Sequence, residues 1–142
     1  MEKMTLTIIK PDSVSSGKAG QILAHLEDAG FRICALRMTR LSRETVGEFY
    51  AEHRGKGFFE PLIEFMISGP VIVAALSRKN AVAELRRIIG ATDPAEAEPF
   101  TVRAIFAESK TRNAIHGSDS DKSARRELDF FFSRSELVQN GG

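Results

Sequence analysis

The sequence predicts an α/β (α+β) sandwich: a ferredoxin-like split βαβ in which helices cover a four-stranded antiparallel sheet. Three observations carry this reading. Strand-like and helix-like segments follow one another as β-α-β-(αα)-β-α-β-α, two βαβ halves in succession. Val71 to Leu76 is apolar without a break, the pattern of a central strand covered on both faces. The helical stripes are short and stop at Gly30, at Ser68-Gly69-Pro70 and at Gly90. The 142 residues suffice for one core, so residues 1–142 are read as a single domain.

Each element has its own signal. Met4 to Lys10 alternates and is β-prone, and Pro11-Asp12 ends it as a strand. Ala19, Ile22, Leu23, Leu26 and Ala29 follow helical spacing up to Gly30. Phe31 to Arg40 reads as a second strand. Ser42 is a suitable N-cap for a helix carrying Val46, Phe49 and Tyr50, and a second short helix carries Phe59, Leu62, Ile63 and Met66. After the strand from Val71, another stripe runs through Val82, Leu85, Ile88 and Ile89. Thr92 to Pro99 is a loop, and Thr101 to Ala107 is predicted as the fourth strand. Lys110 to Asp121 is polar and irregular. Ala124, Leu128 and Phe131 mark a last helix, and Ser133 to Gly142 is a tail.

Composition narrows the function classes. Hydrophobic residues make up 42% and charged residues 27%, ordinary for a soluble globular protein. A net charge of +1 argues against a duplex nucleic-acid binder, which usually carries a basic excess. The single cysteine, Cys34, excludes an intramolecular disulfide and reads as a small buried hydrophobe in a reducing compartment. The chain opens directly on a strand-like segment with no signal-peptide pattern, and no apolar run approaches the roughly 20 residues that cross a bilayer. The expected location is cytoplasmic, with no membrane association.

Chemistry concentrates in Asn113-Ala114-Ile115-His116-Gly117-Ser118-Asp119-Ser120, between the last predicted strand and the last helix. The bland reading is a turn at Gly117 followed by capping residues Ser118, Asp119 and Ser120. The chemical reading makes His116 a nucleophile. That requires a neutral imidazole held in one tautomer by a carboxylate on its other nitrogen. Glu127, on the following helix, can reach back, with Ser118 steering it. Phosphates would need cations, and Lys10, Arg86 and Arg103 are candidates. Arg103 stands out because an arginine between Val102 and Ala104 in a strand calls for a site on its face, and guanidinium forks match phosphate oxygens. Gly17-Lys18-Ala19-Gly20 is not a Walker A loop: position 12 is Asp where a glycine is needed, and no Ser or Thr follows the lysine.

Asn113-x-x-His116-Gly117-Ser118-Asp119 resembles the active-site signature of nucleoside diphosphate kinases of the bacterial type, with a short C-terminus. Ile8-Ile9-Lys10-Pro11-Asp12, Phe49-Tyr50, Phe58-Phe59, Ser68-Gly69-Pro70-Val71 and Gly90-Ala91-Thr92-Asp93-Pro94 extend the resemblance, in order, over nearly the whole chain. The resemblance implies that His116 becomes phosphorylated on Nδ1, with Glu127 and Ser118 fixing the ring. It implies that Lys10, Arg86, Arg103, Thr92 and Tyr50 surround the phosphates, that Lys10 and Asn113 hold the ribose, and that Phe58, backed by Leu62, stacks on the base. It further implies nucleoside di- and triphosphates as ligands, Mg2+ held by phosphates and water rather than a protein cage, and a homo-oligomer, a tetramer or hexamer built from dimers.

Three positions depart from the family pattern. Lys110 stands where an aliphatic residue often forms the other side of the base clamp, Phe100 where glycine is common, and Lys56-Gly57 where Arg-Pro is common. A nucleotide-binding regulatory module without catalysis is the alternative on the same fold, but it leaves the convergence of a histidine, a glutamate and three cations without a purpose. A catalytically dead relative would usually lack Lys10, Arg103, His116 or Glu127, and all are present. A single-strand nucleic-acid binder is disfavoured by the near-neutral charge.

Overall fold

Two strands form the middle of the sheet. β1 (Glu2–Ile9) and β3 (Val71–Lys79) pair antiparallel from Glu2 opposite Lys79 to Ile9 opposite Ile72. Side chains of β3 alternate between two cores, as a strand covered on both faces must. Val71, Val73 and Ala75 enter one core, and Ile72, Ala74 and Leu76 the other. β2 (Arg32–Thr39) closes the β3 edge, and β4 (Ile115–Gly117) closes the β1 edge through Thr7 to Ile9. The order is β2-β3-β1-β4 with every pair antiparallel, the split-βαβ arrangement. The computed structural model describes residues 2–138.

Helices α1 (Pro11–Ser15), α2 (Ala19–Asp28), α3 (Arg43–Phe49), α4 (Phe59–Met66), α5 (Ala81–Ile89), α6 (Val102–Phe106) and α7 (Asp121–Phe131) follow in chain order among these strands. Val46, Phe49, Ile63, Met66, Leu128 and Phe131 bring α3, α4 and α7 onto one face of the sheet. Ile22, Leu26, Leu85 and Ile89 bring α2 and α5 onto the other. Fully buried aliphatic side chains such as Leu6, Ile8, Ile22 and Leu85 each contribute roughly 1.5–3 kcal/mol by leaving water. Ser42 caps α3 by accepting the Thr45 N–H at 3.0 Å, as its type and place predict. Cys34 is a buried free thiol at a β-bulge in β2. No helix among the described residues is long and apolar enough to cross a membrane.

The structure corrects two expectations and adds detail to two others. Thr101 to Ala107 is not the fourth strand: Val102–Phe106 is helix α6, started by Thr101, whose Oγ1 accepts the Ala104 N–H at 3.3 Å. Its β-branched and aromatic residues imitate a strand, but a five-residue segment is governed by its cap and its packing. The fourth strand is Ile115–Gly117, inside the stretch read as irregular; three residues are too few to display alternation. Pro11 does end β1, but it also opens α1, where its missing N–H costs nothing and its fixed φ suits a first turn. The tail from Ser133 forms a 3₁₀ turn at Arg134–Glu136, and Gln139 to Gly142 lie outside the described residues.

Candidate active site

His116 is the middle residue of β4. Its backbone stands opposite Ile8, and its carbonyl accepts the Thr7 hydroxyl at 2.7 Å. The side chain lies against α7, which carries Glu127. Glu127 Oε1 is 2.7 Å from His116 Nε2 and accepts the Ser118 hydroxyl at 2.8 Å. A carboxylate only accepts, so Nε2 bears the ring proton and the Nδ1 lone pair is free. Glu127 is only 7% exposed, which strengthens its attraction for positive charge on the ring. The Phe49 ring meets the imidazole edge-on at 5.3 Å, and Tyr50 does so at 6.1 Å. Burial, reinforced by Glu127, pushes the Tyr50 hydroxyl above its ordinary titration range, so it stays protonated and able to donate.

The chain enters β4 through a tight turn. Ala114 has φ +75° and is fully buried, and the Ile115 N–H reaches back to Asn113 O at 2.9 Å. That is a γ-turn of the strained, positive-φ kind. A non-glycine residue in such a conformation costs of order 1–3 kcal/mol and persists only where its surroundings hold it. The Lys10 N–H donates to Ala114 O at 2.8 Å, and the Ala114 N–H donates to Asp12 Oδ2 at 3.0 Å.

Lys10 and Arg103 meet at this turn. The Lys10 ammonium donates to Asn113 Oδ1 at 2.8 Å. Burial above all, then Arg103, pushes its pKa down to about 8, while Asp12 pulls the other way. Arg103 lies on α6, not on a strand. Its Nε, Nη1 and Nη2 donate to the carbonyls of Asn113, Gly90 and Ile115 at 3.4, 3.1 and 2.9 Å. Three of its five N–H donors are thereby used and two remain for a ligand. Burial, with Arg86 nearby, lowers its pKa to about 10, so it remains cationic at neutral pH.

Arg86, Thr92 and Arg103 line one cavity of about 160 Å³ together with Gly90 and Gly117. Gly90 is sterically required, and a side chain at Gly117 would force the end of the Ile89 side chain to shift. A Cβ on Gly90 (φ +93°) would fall 2.6 Å from Thr101 Oγ1, and one on Gly117 would fall 2.7 Å from Ile89 Cδ1. Asn113 Nδ2 donates to Thr92 O at 3.4 Å, joining the turn to the rim of this cavity. His116 immediately precedes Gly117 of this lining in β4, so an imidazole and a hollow lined by two arginines are neighbours along the strand, an arrangement suited to taking a phosphoryl group. A larger cavity, about 660 Å³, is lined by Met4, Cys34, Arg125 and Leu137 among others and by none of the predicted site residues.

Phe58 is half exposed at the start of α4, with its ring 5.1 Å from His53, which in turn stacks on Tyr50 at 6.2 Å. This aromatic series leads from Phe58 to His116. Leu62 packs against the core behind α4. The ammonium over the Phe58 ring is that of Lys56, 5.7 Å from the centroid, whereas the Lys110 ammonium lies 3.9 Å from Asp93 on the exposed rim. Sequence reasoning gave no site role to Asp12 or Phe49, which entered as a strand end and a helix core residue and as parts of the motifs that carry the resemblance. The adjacency of Asp12 to Lys10 was the available signal for the first, and no sequence signal distinguished the second.

The family model described as nucleoside diphosphate kinase matches residues 3–137. A nucleoside diphosphate kinase of Campylobacter lari is 52% identical over 138 residues, covering 97% of this chain and all of that protein. One of Chlorobium limicola is 51% identical over 135 residues, covering 95% and 96%. The crystal structure of the Aquifex aeolicus nucleoside diphosphate kinase superposes with a TM-score of 0.95 at 46% identity, covering 97% of this chain and 100% of that one. A halophilic nucleoside diphosphate kinase of Halobacterium salinarum, solved in complex with CDP, gives 0.94 at 35% identity, covering 98% and 93%.

Proposed function

The chain belongs to the nucleoside diphosphate kinase family, and from that premise we propose that His116 carries the phosphoryl group from one nucleotide to the next. The activity is transfer of the γ-phosphoryl group of a nucleoside triphosphate to a nucleoside diphosphate. The observation that carries the assignment to His116 is the Glu127 carboxylate 2.7 Å from Nε2, which leaves Nδ1 as the nucleophile.

In the first half-reaction the Nδ1 lone pair attacks the γ-phosphorus. The bond from that phosphorus to the bridging oxygen breaks, and the nucleoside diphosphate leaves with its electron pair. The ring, still protonated on Nε2, becomes cationic, and the buried Glu127 stabilises that charge while Ser118 fixes the carboxylate. In the second half-reaction a terminal oxygen of another diphosphate attacks and the N–P bond breaks. One pocket serves every donor and acceptor, and the kinetics are ping-pong.

Lys10, Arg86, Arg103, Thr92 and Tyr50 surround the phosphates in this reading, Lys10 and Asn113 hold the ribose hydroxyls, and Phe58, supported by Leu62, offers a stacking face that any base can use. Mg2+ fits as a partner of the nucleotide rather than of the protein. The groups pointing to the phosphates are cations, and no cluster of three or more His, Cys, Asp or Glu side chains suited to a cage occurs among the described residues. When bound, the ion neutralises phosphate charge; its partners would be phosphate oxygens and water.

The same reading takes residues 1–142 as one catalytic domain and places it in the cytoplasm, in keeping with a buried, unpaired Cys34. It takes the active form as a homo-oligomer, a tetramer or hexamer of dimers. The edge strand β2 exposes Leu36 and Met38, which supports association; sedimentation tests it. The assignment of His116 is tested with ATP labelled on its γ-phosphate. Wild type acquires label stable to alkali and lost in acid, and His116→Ala acquires none; label at the wild-type level in the variant would place the acceptor elsewhere.

A further inference from the structure

Asp12 stands behind the reacting residues and touches none of the cavity around Arg86 and Thr92. It is 7% exposed, on α1, and its Oδ2 accepts the Ala114 N–H at 3.0 Å. Its Oδ1 is buried and has no hydrogen-bond partner among the described residues. Burying a carboxylate with half its acceptor capacity unmet is costly, so its retention calls for a task beyond filling space.

The task is visible at Ala114. This residue holds a positive φ without being glycine, and the bonds that hold it converge from two directions. The Lys10 N–H takes Ala114 O, and Asp12 Oδ2 takes Ala114 N–H. From the other side Arg103 takes the carbonyls of Asn113 and Ile115. On one side of the turn Asn113 meets the Lys10 ammonium; two residues beyond the turn is His116. Any relaxation of Ala114 toward ordinary backbone would therefore move Asn113 and His116 relative to each other.

We infer that Asp12 is a positioning residue for phosphoryl transfer: its carboxylate locks the strained Ala114 turn that sets Asn113 against His116. The inference rests on His116 being the phosphoryl acceptor. Lys10 is faced by Arg103 from α6, by Asp12 from α1 and by the uncharged Asn113 amide, and Asp12 also acts on Arg112. Removing the Asp12 charge leaves burial and Arg103 unopposed, so Lys10 gives up its proton at lower pH.

The test compares wild type, His116→Ala, Asp12→Ala, Asp12→Asn and the double variant Asp12→Ala/Ala114→Gly. Asp12→Ala is expected to lower kcat about 10- to 100-fold, the scale of a misplacement near 1 Å. Asp12→Asn keeps an oxygen for the Ala114 N–H and loses less, and its alkaline limb of kcat/KM moves to lower pH. Glycine at 114 adopts the turn unaided, so the double variant recovers part of the kcat lost by Asp12→Ala. A folded Asp12→Ala with kcat within about twofold of wild type overturns the inference, as does a double variant no better than Asp12→Ala. Should Asp12→Ala fail to fold, Asp12→Asn decides: an unmoved alkaline limb overturns the inference. Absence of acid-labile label on wild type would instead break the reading of His116 itself.

Discussion

The carboxylate of Glu127 lies 2.7 Å from Nε2 of His116 and accepts Ser118 at the same oxygen. This one contact sets the tautomer and leaves Nδ1 free, and under the proposed mechanism it supplies a buried negative charge to a ring that becomes positive on phosphorylation. Glu127→Gln keeps the shape and loses the charge. It is expected to lower kcat on the order of ten- to a thousandfold, the range of single electrostatic supports. Steady-state kinetics beside circular dichroism check this; a folded variant with normal kcat would reduce Glu127 to a packing residue.

Arg103 and Arg86 share a cavity but differ in what else they do. Arg103 satisfies the carbonyls of Gly90, Asn113 and Ile115, whereas the Arg86 side chain has no hydrogen-bond partner among the described residues. Arg103→Ala is expected to cost roughly 1–3 kcal/mol of stability by leaving those acceptors under-satisfied, and activity as well. Arg86→Ala is expected to raise KM with stability within about 0.5 kcal/mol of wild type. Urea denaturation of both variants separates the roles, and equal loss of stability in the two would contradict them.

The Lys10 ammonium gives a pH signature. With its pKa down to about 8 in the nucleotide-free protein, it is charged below that pH and neutral above it. Capture of an anionic phosphate chain therefore weakens as pH rises through about 8. The expected result is an alkaline fall in kcat/KM centred near pH 8, because that ratio reports the free enzyme. Bound phosphates favour the charged form, so kcat at saturating nucleotide should hold to higher pH. A kcat/KM profile flat to pH 10 would show that the Lys10 proton is not needed.

Phe100 is 83% exposed and sits at φ +72°. Left-handed backbone costs an ordinary residue roughly 1–2 kcal/mol, and glycine gives back part of that as unfolded-state entropy. Since the ring buries almost nothing, Phe100→Gly is expected to stabilise the protein by about 0.5–1 kcal/mol. The urea midpoint measures it; a lower midpoint would mean that the ring is held by contacts outside the single chain.

The sequence carried the long elements and misplaced the short ones, for a physical reason. β1, β2, β3, α2 and α5 each run for eight residues or more, enough for period 2 or 3.6 to register. α6 has five residues and β4 three, so cap, register and packing decide them. The site shows the same division. The contact between His116 and Glu127 was legible because a signature loop runs straight into a helix. Arg103 was singled out for a strand that does not exist, yet the demand behind the choice was real: a buried guanidinium needs partners, and here backbone carbonyls supply them. The bond between Asp12 and Ala114 was not legible, since neither residue type announces a γ-turn and the two stand 102 positions apart.

The most direct test of the central claim is ³¹P and ¹H NMR of the phosphoenzyme, prepared with ATP and kept at alkaline pH, to establish which ring nitrogen of which histidine bears phosphorus. The Glu127 contact at Nε2 requires phosphorus on Nδ1 of His116. Phosphorus on Nε2, on His25 or His53, or on a serine oxygen would contradict it.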